Sequence, residues 1–366
     1  MDYEDPLFFR VMAYASEADR DVIDMVSGGP DWEPPEGITA GLREYASLQS
    51  RDFQYAPAPG LPELREAVAE RHGVDSEQVI ITNGAGEANF LAMAAAFDRE
   101  LGSEAVLTDP VYPYYPGKVN ILGGTQVFVP VDEDGSLDPE RVRDAVREET
   151  ACIVVNTPNN PTGAVYDADV MQALVRIAEE HDAILVSDEV YADFDYTGDF
   201  ESALEIDSGH RIVTGSFSKT FAITGFRVGY VIAPPSLIDG IARRHMLINV
   251  SITRPGQYAV LRALESTDPT YYEKNRRLVS DRIDTFTAAL EESGARFTRP
   301  DGAFYVMVKF PGFDATLENV FSLIDETGVA GMPGSAFGTS RSEWIRFAMV
   351  TPHVTTAAER LQEYFD

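Results

Sequence analysis

Between about Leu61 and Val231 the chain alternates short apolar runs with longer stretches of helical spacing. The runs at 79–82, 105–108, 125–129, 151–155, 183–187, 211–214 and 228–232 are each four or five residues long, too short to be helices. Between them, 61–72 (with Pro62 in its first turn), 84–97 (rich in Ala and Met) and 168–181 carry helical patterns. Apolar strands separated by helices have to be covered on both faces, and a mainly parallel sheet is the arrangement that does so. The expected fold class is therefore α/β, with seven strand runs available to one sheet.

Beyond Pro235 the character changes. Residues 237–248 and 257–264 read as helices, and 269–291 as a long one with Leu278, Ile283, Phe286 and Leu290 at core spacing. Strand-like 304–310, a helix at 317–327, a strand at 344–349 and a terminal helix follow. The expected division is a large domain at 46–270 and a smaller α/β domain at 271–366, joined by residues 1–45. No internal repeat or low-complexity tract interrupts it.

The charge balance narrows the partners. There are 29 Lys+Arg against 60 Asp+Glu, a formal net charge of −31, in a chain otherwise ordinary at 44% hydrophobic and 24% charged residues. Such a surface repels phosphate backbones and anionic lipids, so neither a nucleic-acid nor a membrane partner is expected. A cytosol of high ionic strength would screen the self-repulsion. The single cysteine, Cys152, permits no internal disulfide, and residues 1–5 show neither a basic nor an apolar leader pattern. The longest apolar stretch, near Phe90 to Phe97, is far too short to span a bilayer. A cytoplasmic location is expected.

In open α/β sheets, ligands collect beyond the carboxyl ends of the strands. Four groups fall at such ends. Asn83-Gly84-Ala85-Gly86 opens a helix, where backbone N–H groups can meet an anion; a plain turn is the alternative. Asn156-Thr157-Pro158-Asn159-Asn160-Pro161-Thr162-Gly163 is a proline-stiffened loop that aims the Asn160 amide, or simply a rigid turn. Asp188 ends a buried strand, where an acid needs a partner, with Tyr191 three residues on; a helix N-cap is the alternative. Last come Ser216, Ser218 and Lys219, one of only four lysines in the chain. A lysine amine framed by hydroxyls and Arg227 suits a Schiff base with an aldehyde whose phosphate is held close by. Taken singly, each group has an ordinary explanation. Together they offer what one molecule requires: phosphate, ring nitrogen, phenolic oxygen and aldehyde are the four handles of pyridoxal 5′-phosphate.

The ordered set Asn159-Asn160-Pro161-Thr162-Gly163, Asp188-Glu189-Val190-Tyr191, Ser218-Lys219 and Arg227 resembles that of the class I/II aminotransferases, of pyridoxal-phosphate fold type I. The likeness runs from Val26-Ser27-Gly28-Gly29-Pro30-Asp31 to Trp344-Ile345-Arg346-Phe347. It implies Lys219 as the Schiff-base lysine and proton shuttle, and Asp188 at the ring nitrogen. It implies Asn160 and Tyr191 at the phenolic oxygen, with Ser216, Ser218, Arg227 and the Ala85 and Gly86 amides at the phosphate. Tyr112 would stack on the ring, though a core aromatic is the plainer reading of it. Tyr55 would reach the phosphate of a neighbouring subunit, making the active unit a homodimer. Arg346, with Gly28 and Asn160, would hold the substrate carboxylate. The implied activity is transamination between an L-amino acid and a 2-oxo acid, of aspartate or aromatic type, with glutamate and 2-oxoglutarate as the shared pair.

Two positions depart from that pattern. Gly86 stands where many relatives carry Ser or Thr, and Arg254 where a small hydroxyl residue is common. Arg254 could serve a phosphate across the dimer, a distal substrate carboxylate or a surface salt bridge. None of the five histidines lies in these motifs, and no metal site is read. A carbon–sulfur β-lyase or related synthase shares the same cofactor residues, and a non-catalytic regulator could keep the fold.

Overall fold

The computed structural model describes residues 6–99, 102–291 and 293–365. Residues 1–5, which carry the no-leader expectation, lie outside them. The large sheet has seven strands: β1 (Val79–Thr82), β2 (Glu104–Asp109), β3 (Thr125–Pro130), β4 (Thr150–Asn156), β5 (Ile184–Asp188), β6 (Arg211–Ser216) and β7 (Gly229–Ile232). Their order is β1-β7-β6-β5-β4-β2-β3. All are parallel except β7, which runs antiparallel to both its neighbours.

The strand composition follows from burial on two faces. Every residue of β1, β4, β5 and β7 is buried. Val154, Val186 and Ile212 pack on one face with Leu91 and Met93 of helix Gly84–Phe97. Their chain neighbours Ile153, Val155, Leu185 and Val213 pack on the other with Met171, Leu174 and Val175 of helix Ala168–Glu180. Each such side chain contributes roughly 1.5–3 kcal/mol of burial, so both helical layers are needed. Edge strand β3 escapes this demand and exposes Phe128.

The second core forms around four antiparallel strands, β8 (Arg296–Phe297), β9 (Tyr305–Lys309), β10 (Met332–Pro333) and β11 (Ile345–Ala348), in the order β10-β11-β9-β8. Val279, Ile283, Phe286 and Leu290 of helix Pro269–Glu291 pack on it. Ile23–Asp24 pairs in parallel with Val329–Ala330, stitching the N-terminal segment to the C-terminal third. Arg282 clasps Asp31 with two bonds of 2.7 Å, fixing the Gly28–Asp31 strap.

Helix Glu36–Ala46 behaves differently. A Cβ at Gly37 would lie 2.7 Å from the Ala263 Cα, and one at Gly41 would lie 2.9 Å from the Ala259 Cα. These glycines let it seat closely on helix Arg254–Ser266, and Ile38 joins Leu61 and Leu64 in a core cluster of the larger part. Helices Leu7–Glu17, Tyr114–Ile121 and Pro139–Ala145 add to those expected from sequence; the last two are only eight and seven residues long, too brief for a clear period. Among the described residues no helix is long and apolar enough to cross a membrane.

Candidate active site

Strand register assembles the site. Asn156 pairs with Asp188, Asp188 with Thr214, Ser216 with Gly229 and Gly229 with Thr82. The ends of β4, β5, β6 and β1 thus share one edge of the sheet. Because β7 is antiparallel, it starts at that edge and delivers Arg227 beside the turn after β1. Above the edge lies a cleft of about 760 Å³, a size suited to a cofactor with its substrate. Gly28, Ala85, Gly86, Tyr112, Asn160, Asp188, Tyr191, Ser216, Ser218, Lys219, Arg227 and Arg346 all line it. Residues 150 to 320 positions apart in sequence therefore meet in one cavity.

At its floor, Asp188 is buried. Its Oδ2 accepts from Asn89 Nδ2 at 2.6 Å and the Tyr115 hydroxyl at 2.5 Å; Oδ1 accepts from the Val190 N–H at 3.2 Å. Burial still pushes its carboxyl above the usual range, against these donors and the field of Lys118. It is the last residue of β5 and caps no α-helix. A pyridinium N–H would supply the missing counter-charge, so this acid fits the ring nitrogen.

Lys219 follows β6 in a single helical turn that starts when the Ser216 hydroxyl accepts the Ser218 N–H at 3.1 Å. Its Nζ donates to the Gly28 carbonyl at 2.5 Å. Burial, with Arg346 and Arg227 nearby, pushes it down to about 8. A Cβ on residue 28 would collide with the Tyr305 hydroxyl, so glycine is required there.

Arg346 is wholly enclosed. Nη1 donates to Asn160 Oδ1 at 2.9 Å and Nη2 to the Val26 carbonyl at 2.5 Å, while its carbon sits 4.4 Å from the Tyr305 ring centre and 4.8 Å from that of Phe337. Its Nε has no partner among the described residues. A buried guanidinium with a donor left over and no carboxylate on it calls for an anion. The Tyr191 and Tyr305 hydroxyls stand 2.9 Å apart. Tyr112 is half-buried, lining the cleft rather than closed into a core.

Arg227 adopts φ +56°, an outlier for a side-chain-bearing residue. Its Nη1 donates to the Thr224 carbonyl at 2.9 Å and its Nη2 to the Asn83 carbonyl at 3.4 Å. Gly84, at φ +72°, leaves no room for a Cβ, which would lie 2.6 Å from Arg227 Nη2. This turn, with Ser216 and Ser218, has the donors a phosphate needs, so the residues present fit pyridoxal 5′-phosphate at both its ends.

Tyr55 does not join its own chain's cleft. It is 81% exposed, and Arg254 donates to the Gln54 and Tyr55 carbonyls at 3.2 and 3.5 Å. Arg254 makes no salt bridge among the described residues, which corrects the surface-pair alternative. Asn89, Tyr115, Asn156 and Tyr305 went unread in the sequence, because each acts through a partner 4 to 114 positions away. Only the approach of Tyr115 to the Asp188 strand end, through the stretch after Tyr112, left any trace in the pattern.

The sequence profile of the family described as aminotransferase class I and II matches residues 20–361. The chain belongs to this family. Its members work with pyridoxal 5′-phosphate, and this chain is a pyridoxal-phosphate-dependent transaminase. Aspartate/prephenate aminotransferase of Thermus thermophilus is 35% identical over 96% of this chain and 93% of its own length. Aspartate aminotransferase of Thermotoga maritima is 33% identical over 94% and 92%. The solved aspartate aminotransferase from Thermus thermophilus with maleate superimposes with a TM-score of 0.90 at 33% identity, covering 98% of this chain and 97% of that one.

Proposed function

We propose that this transaminase moves an amino group from an acidic or aromatic L-amino acid to 2-oxoglutarate, by a ping-pong cycle. The convergence of Lys219 Nζ, the Asp188 carboxylate and the partly unpaired Arg346 guanidinium in one cleft carries the reading. The names of the relatives favour aspartate as donor, and maleate, bound in the Thermus structure, is a dicarboxylate.

When bound, pyridoxal 5′-phosphate supplies a reactive aldehyde and an electron-withdrawing ring. Ser216, Ser218, Arg227 and the Ala85 and Gly86 amides hold its phosphate, Asn160 and Tyr191 its phenolic oxygen, Asp188 its ring nitrogen and Tyr112 a ring face. Arg346 grips the substrate α-carboxylate, with the Gly28 strap closing beside it. This orients the α-carbon toward Lys219, whose Nζ takes its proton as general base. The Tyr191–Tyr305 pair keeps that wall of the cleft dry and fixed.

Lys219 works only as the neutral amine. Since burial and two guanidinium groups push it down to about 8, the rate at which apoprotein takes up the cofactor should climb as pH rises through about 8 and then level off. Absorbance stopped-flow from pH 6 to 10 measures this. A midpoint near the ordinary lysine range would show that the amine is not so tuned.

We further propose that Tyr55 and Arg254 serve the cleft of a second copy, so the active unit is a homodimer; sedimentation finding an active monomer would reject this. The division between domains is proposed near residue 35 on the N-terminal side, since helix Glu36–Ala46 packs with the larger part, and near residue 270 on the other. The reading also includes a cytoplasm of high ionic strength. A panel of amino donors against 2-oxoglutarate, in dilute and concentrated salt, tests donor and setting together. Best turnover with acidic donors at high salt is expected; indifference to the donor's second carboxylate, or best activity in dilute buffer, would overturn the respective part. Incubated with one amino acid alone, the enzyme should stop after a single equivalent, whereas a lyase would keep releasing ammonia.

A further inference from the structure

Glu87, His245 and Asn249 form a cluster behind the turn that opens helix Gly84–Phe97, and none of the site residues above includes them. Glu87 Oε2 accepts the Asn83 backbone N–H at 2.6 Å. Its Oε1 accepts from Asn249 Nδ2 at 2.5 Å and lies 2.7 Å from His245 Nδ1. His245 is fully buried, and its Nε2 has no partner among the described residues. The tautomer with hydrogen on Nδ1 serves the carboxylate and leaves only a lone pair unmatched, which costs less than an orphaned N–H. Asn83 meanwhile lends its carbonyl to Arg227 Nη2.

One carboxylate thus pins the peptide just before Gly84, the most pliable point of the turn. The other end of the cluster is Asn249, the last residue of helix Pro235–Asn249. The next residue, Val250, has φ +63°, which a β-branched residue keeps only where its surroundings hold it. A lone carboxylate so near a phosphate would repel it. Three donors around this one spread its charge, so it can brace the turn without expelling the anion.

We propose that Glu87 is a positioning residue: with His245 and Asn249 it locks the Asn83–Gly86 turn in the shape that grips the cofactor phosphate. This rests on the reading that the Ala85 and Gly86 amides and Arg227 hold that phosphate. The test follows cofactor release from holoenzyme on dilution, by loss of visible absorbance. Glu87→Ala should release it about tenfold faster, the loss of one charge-assisted hydrogen bond, and raise half-saturating cofactor alike, with kcat at saturating cofactor moving far less. Asn249→Ala, at the outer end, should give about a threefold rise and stands in if the first variant does not fold. Arg227→Leu is the control. Fast release from that control with unchanged release from both cluster variants would overturn the lock and leave the phosphate reading standing. Unchanged release from all three would bring down the phosphate reading and the lock together. A residue that merely stabilised the fold would lower the unfolding temperature of apoprotein and leave release as it was, which also rejects the proposal.

Discussion

Lys219→Ala is expected to lower kcat by about four orders of magnitude or more, because one nitrogen is lost from two tasks. A positioned general base contributes roughly 10²–10⁴-fold, and the covalent tether adds to that. No other amine can substitute. Of the remaining three lysines only Lys118 lines the cleft, where its one hydrogen-bond acceptor among the described residues is the Tyr114 carbonyl at 3.5 Å. Steady-state kinetics with a saturating donor measure the loss. Turnover within tenfold of the parent would refute the assignment. Borohydride treatment followed by peptide mapping gives a second readout, with label at position 219 in the parent and none in the variant.

Asp188→Asn should reduce kcat by about 10²–10³-fold, the range seen when a preorganised electrostatic partner is removed from a dry site. Its effect on the fold should be small. Burial raises the Asp188 carboxyl above its ordinary value, so at neutral pH the ionised group costs the folded state free energy rather than stabilising it. Asparagine removes that cost while losing acceptor strength toward Asn89 and Tyr115. The two effects oppose each other, so the unfolding temperature of apoprotein should move by only about a few degrees. Kinetics and calorimetry on one preparation separate the outcomes. A large drop in stability with kcat preserved would make Asp188 a structural acid and not the partner of the ring nitrogen.

The strands were easy to read because two-sided burial leaves little choice of residue. The expected runs at 105–108 and 151–155 each lie one residue inside the observed β2 and β4 at both ends. Strand direction was another matter. The run at 228–232 looks like its neighbours, yet β7 is antiparallel, and that reversal brings Arg227 to the phosphate turn. Motif residues such as Asn160 and Asp188 carried local signals, namely proline stiffening and an acid at the end of an apolar strand. Asn89 and Tyr115 carried none, since an asparagine in a buried helix acquires meaning only from the carboxylate opposite it. Helix Glu36–Ala46 is legible as a helix, but which body it joins is decided by Gly37 and Gly41 against Ala263 and Ala259, a fit visible only in three dimensions.

By itself, then, the amino-acid order determined the α/β class, the strand and helix inventory and the chemistry at each strand end. These depend on periodicity and on side-chain character within a few residues. Tertiary structure decided what depends on distance: the antiparallel return of β7, the enclosure that lowers Lys219 and leaves Arg346 a spare donor, and the carboxylate of Glu87 braced by a helix some 160 positions later. Burial and electrostatic fields are set by neighbours in space, and linear order does not encode them until the chain has closed on itself.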